Sequence, residues 1–60
     1  MERIKQLAAA VIAIRRFDTG ESVTFEQDVE MDLDDDTAAY LKSLRVKDQD
    51  GNDLANFVAV

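Results

Sequence analysis

Between Thr24 and Asp34 the carboxylates of Glu26, Asp28, Glu30, Asp32 and Asp34 take every second position, alternating with Phe25, Gln27, Val29, Met31 and Leu33. In an extended chain this period of two sends the carboxylates to one face, about 6.8 Å apart along it, and the mainly apolar residues to the other. Such an acidic ridge has three readings: a solvated strand face that discourages edge-to-edge aggregation, a docking surface for a basic partner, or a mimic of nucleic acid that enters a phosphate-binding groove. The basic counterparts lie upstream, at Arg3, Lys5, Arg15 and Arg16. These four residues and the five ridge carboxylates are the candidate interaction residues.

Bond-making chemistry finds no constellation. Ser22, Ser43, Thr19, Thr24 and Thr37 have no His to act as base, and the chain has no Cys. Gly20 and Gly51 are too few and too far apart for a phosphate-cradling loop. Paired carboxylates need a cleft that shifts one pKa, and 60 residues scarcely enclose one. Calcium fares no better. Asp48, Asp50 and Asn52 fit ligand positions one, three and five of an EF-hand loop, but the sixth is Asp53 rather than Gly and the twelfth is Ala59 rather than Glu. Asp32, Asp34 and Asp36 fail the same way, at Thr37 and Ser43. The reading is a protein without enzymatic activity, cofactor or metal.

The charge is polar along the chain. Residues 1–16 carry +3, residues 17–36 hold nine carboxylates with no Lys or Arg, and residues 37–60 balance, for a net charge of −6. A negative chain is not steered toward nucleic acid, so direct DNA or RNA binding is not expected. Leu7 to Ile14 forms an apolar run behind Arg3 and Lys5, but Arg15, Arg16, Phe17 and Asp18 stand where a signal-peptide cleavage site would need small residues. The run is too short to span a bilayer. These features predict a protein of the cytoplasm without a membrane partner.

The elements that must position these residues make one small α+β domain over 1–60: a twisted antiparallel sheet or partial barrel of four to five strands with one helix. Residues 2–14 read as either helix or strand. As a helix, Ile4, Leu7, Ala8, Val11, Ile12 and Ile14 make one apolar stripe and Ala8 to Ala10 favour it, while Val11 to Phe17 is rich in β-branched residues. The reading is a short helix or arm over about 2–8, with 1–9 an N-terminal arm. A strand follows over about 10–17, turning at Asp18-Thr19-Gly20. Glu26-Gln27-Asp28 divides the acidic stretch into strands near 21–25 and 29–33, which fits ordinary strand lengths. Asp34 is the N-cap of a helix over about 35–44, with Asp35 and Asp36 in its first turn and Lys42 and Arg45 at its end. Asp50-Gly51 marks a hairpin between Val46–Gln49 and the apolar stretch Leu54–Val60. The expected core is Phe17, Val23, Phe25, Val29, Met31, Leu33, Tyr40, Leu41, Leu44, Val46 and Phe57. Asp28→Ala, out on the ridge, is expected to be nearly neutral.

From Val11 to Val46 the chain resembles a group of small proteins encoded in tailed phages and Mu-like prophages. These carry a strand, a Gly turn and a second strand, then an acidic stretch of the form E-x-D-x-D-D-x-T-A-x-Y-L, then L-x-x-L and a short apolar strand. The matching residues are Gly20, Val23, Glu30, Asp32, Asp34 to Asp36, Thr37, Ala38, Tyr40, Leu41, Leu44 and Val46. The family usually has Pro-Gly where this chain has Gln27-Asp28, and Gly where it has Arg45. The resemblance implies a structural virion or particle-assembly component, whether capsid-associated, head–tail or accessory. Its partners would be copies of itself or another virion protein. The alternative is a small acidic inhibitor or nucleic-acid mimic that binds a basic groove of a host or defence protein. A chain this short buries little core, and eight of its apolar residues are Ala, so association is an expected source of stability. The basic arm and the acidic ridge are expected to meet between subunits rather than within one.

Overall fold

A computed structural model describes all residues 1–60. Its elements run β1 (Glu2–Gln6), β2 (Ile12–Arg15), β3 (Ser22–Phe25), β4 (Glu30–Leu33), α1 (Asp35–Ser43), β5 (Arg45–Lys47), β6 (Asp53–Ala55) and β7 (Phe57–Ala59). The architecture is α+β and every strand pair is antiparallel. A three-stranded sheet has the order β4-β1-β7, while β2-β3 and β5-β6 are separate two-stranded hairpins. No closed barrel forms. The strands number seven rather than four to five, because residues 2–6 add a strand and the expected strand Leu54–Val60 is broken in two.

The N-terminal segment corrects the largest expectation. Residues 2–6 form neither a helix nor an arm; they are β1, the central strand of the main sheet. Its side chains follow a period of two, with Ile4 and Gln6 buried and Arg3 and Lys5 turned out. Its register against β4 sets Arg3 opposite Asp32 and Lys5 opposite Glu30. A slip of one residue would bury both cations, so charge pairing and burial select the same register. Cross-strand pairing therefore overrides the helix propensity of the neighbouring Ala residues, and Ala8 to Ala10 become a bend. Gln6 Nε2 donates to the carbonyls of Ala8 and Ala10 and holds that bend in place.

The acidic stretch divides as expected. Val29 N–H bonds back to the Glu26 carbonyl, closing a turn in which Asp28 has a φ of 64°. The helix begins and ends close to its expected limits, with Asp34 as its N-cap. The C-terminal apolar stretch is split at Asn56, so β6 pairs with β5 while β7 pairs with β1. Asn56 is buried; its side-chain oxygen accepts from Ala8 N–H and its carbonyl from Leu7 N–H.

The core consists of Ile4, Phe25, Leu33, Ala38, Leu41 and Phe57. Phe25 and Phe57 meet edge to face, with ring centroids 5.2 Å apart. Val23, Val29, Met31 and Leu44 pack against this group, partly buried. Phe17, Tyr40 and Val46, expected inside, are exposed instead. No helix is long and apolar enough to cross a membrane.

Candidate interaction surfaces

The ridge residues do not share one face. Glu30 and Asp32 stand on β4, Glu26 and Asp28 lie in the preceding turn, and Asp34 caps α1. Arg3 meets Asp32 as a fork, Nε to Oδ1 at 3.1 Å and Nη2 to Oδ2 at 3.2 Å, and reaches Glu30 at 3.7 Å. The Asp32 hydrogen bond is the main reason that the Arg3 pKa is raised. Lys5 lies 3.9 Å from Asp28, and Arg16 pairs with Asp18 at 2.9 Å while standing 4.0 Å from Asp34. The basic and acidic patches thus meet within one chain, which corrects the expectation that they meet between subunits. The strand register accounts for this, since it brings the cations of β1 beside the carboxylates of β4. Arg15 points to solvent and takes part in none of the chain's ion pairs, and the same holds for Glu26.

Asp34 ties the first helical turn to the β2–β3 connection. Its Oδ2 accepts from Thr37 N–H at 3.0 Å, its Oδ1 from the Thr37 hydroxyl, and Thr37 Oγ1 in turn accepts from Phe17 N–H at 2.8 Å. Thr37 is fully buried, so the chain of hydrogen bonds is shielded from water. The Thr37 hydroxyl is the first cause of the lowered Asp34 pKa.

Two apolar surfaces remain open. The first is a groove of about 440 Å³ between the β1–β2 connection and the β5–β6 hairpin, lined by Leu7, Ala8, Val46, Leu54, Ala55 and Asn56. The second is a pair of aromatic rings, Phe17 and Tyr40, with centroids 5.5 Å apart and a tilt of 40°. Neither surface was among the sequence-derived candidates. A signal for the groove was present in Val46 and Leu54, apolar residues on either side of the Asp50-Gly51 turn. Nothing in the sequence said that their hairpin pairs with no other strand.

The chain holds no grouping of His, Cys, Asp and Glu that would hold a metal ion. At the Asp48 turn the carboxylate is taken up by the backbone N–H groups of Asp50 and Asn52, each at 2.9 Å. The Asn52 backbone bond is the leading cause of its lowered pKa. Compared with protein-family models, curated proteins and solved structures, the chain finds no match.

Proposed function

We propose that this chain is a non-enzymatic interaction protein, a component of a phage or prophage particle or of its assembly, whose first partner is another copy of itself. The apolar groove carries the reading. Leu7, Val46 and Leu54 are each at least 40% exposed around it, which places a continuous apolar surface where an isolated hairpin meets the body. The resemblance over Val11 to Val46 supplies the phage context, and the cytoplasm of the producing cell or the virion would be its location.

Sedimentation over a concentration series tests this. The wild type should associate as concentration rises, and Leu54→Glu should remain monomeric with an unchanged fold. A wild type that is monomeric throughout overturns self-assembly. The inhibitor reading would then gain, on the strength of Glu21, Glu26, Asp36 and Asp50, carboxylates that join no ion pair.

A further inference from the structure

We infer that the Phe17–Tyr40 pair is a docking site for an arginine-bearing segment of a partner protein. The inference rests on reading the chain as an interaction protein, and it assigns a second surface, distinct from the groove.

Two aromatic rings in van der Waals reach of each other are ordinarily core. Here Phe17 is 58% exposed and Tyr40 49% exposed, yet the backbone that carries each ring is anchored. Phe17 is held by its backbone N–H on the buried Thr37 hydroxyl, and Tyr40 stands on α1 one turn after Asp36. The backbone positions are thus set and the rings rest on each other, which lowers the ordering entropy that docking costs. Aromatic side chains fixed in this way are the typical anchors of protein interfaces.

Charge decides what kind of partner fits. Beside Phe17 the Arg16 guanidinium faces Asp18 and Asp34, and Glu21 also acts on it, so one cation is outnumbered by carboxylates. Asp36 adds a further exposed carboxylate one turn from the Tyr40 ring, at the spacing where helix neighbours share a face. Arg15, the remaining cation nearby, does not restore balance. A guanidinium satisfies both features together, because its plane stacks on an aromatic face while its edge donates to carboxylates in a fork. An ammonium matches the charge but not the fork. The outer face of β1 and β4 offers a weaker field, because there two cations, Arg3 and Lys5, stand against three carboxylates and each of the three is paired, whereas Glu21 and Asp36 join no ion pair.

The single Tyr and the absence of Trp make Tyr40 a fluorescent reporter at the site itself. The probe is a blocked decapeptide of alternating Gly and Arg, titrated at low salt, with the Gly–Lys decapeptide as comparison. The expected result is a saturable change in Tyr40 emission, with the Arg peptide binding more tightly than the Lys peptide. Phe17→Ala should weaken the Arg peptide about fivefold. Removing this exposed ring leaves its backbone hydrogen bond to Thr37 intact, so the variant should keep the wild-type circular dichroism. Asp36→Asn should weaken binding as well, and Asp32→Asn, whose carboxylate is already taken up by Arg3, should not. Equal binding of the two peptides, an undiminished affinity in Phe17→Ala, or an equal loss in Asp32→Asn would each overturn the proposal. Groove-driven self-association would survive that failure, because it is read separately by sedimentation of Leu54→Glu.

Discussion

Single side chains settle two matters that composition leaves open. Asp28 reads as one more ridge carboxylate, yet its φ of 64° makes it the left-handed residue of a tight turn. Its backbone N–H also bonds to the Gln6 carbonyl at 2.8 Å, tying the turn to β1. Asp tolerates this conformation better than most L-residues, while Ala and β-branched residues do not. Asp28→Gly should therefore match or exceed the wild-type melting temperature, Asp28→Ala should cost about 1 kcal/mol, and Asp28→Val should cost more. Thermal unfolding of the three variants checks the order, and it replaces the expectation that Asp28→Ala is nearly neutral. The even spacing of carboxylates was legible; the backbone angle beneath one of them was not. Asp34 was legible as a helix cap, because an Asp before Asp35, Asp36 and Ala38 fits the pattern directly. Its pKa is lowered first by the Thr37 hydroxyl, so the ionised form stabilises the fold at neutral pH. That contribution is present above the unfolded carboxylate pKa and is lost as pH falls through the lower folded value. Asp34→Asn should accordingly show a shallower fall of melting temperature with acidification than the wild type.

At the scale of elements, the helix and the β2-β3 and β5-β6 hairpins were readable, because capping, apolar spacing and Gly turns are local signals. What escaped was every choice made by distant partners. Ile4 lies at the centre of the core although its own neighbourhood suggests helix, because β1 gains its place only from β4 and β7, far along the chain. Leu54–Val60 reads as one apolar strand, but buried Asn56 satisfies the backbone of the Leu7–Ala8 bend and so turns the chain from one pairing partner to the other. Phe17 and Tyr40 carry the right residue types for a core and the wrong positions. The β5-β6 hairpin is the element with least support: β5 is exposed along its whole length and neither strand joins a larger sheet. An isolated two-stranded hairpin is marginal in water. Amide hydrogen exchange should therefore show Arg45–Ala55 exchanging well ahead of β1, whose amides should open only with global unfolding. Equal protection in the two segments would mean that the hairpin is held by more than its own ladder.

For the molecule as a whole, surface area and charge placement pull against the initial expectation of how association would work. The accessible surface is 3962 Å², close to the roughly 3900 Å² typical of a monomer of this mass. Total area thus gives no reason for a partner; the proposed self-association rests on where the apolar part sits, along the groove. The extents of 37 × 18 × 18 Å make an elongated body. Charge points the same way. Had the basic and acidic patches been free, assembly would rest on ion pairs between subunits and would dissolve as salt screened them. They are instead spent within the chain, Arg3 on Asp32 and Glu30, Lys5 on Asp28, Arg16 on Asp18. Apolar contact is not screened, so self-association through the groove should persist or strengthen as salt rises from 50 mM to about 500 mM. The double variant Arg15→Glu with Arg16→Glu should assemble like the wild type, yet melt at a lower temperature, because Arg16 braces the β2–β3 connection against Asp18 and the helix cap. Sedimentation and thermal unfolding of both proteins across the salt series separate the two schemes. Dissociation of the wild type at high salt, or a double variant that stays folded but monomeric, would return assembly to charge pairing between subunits.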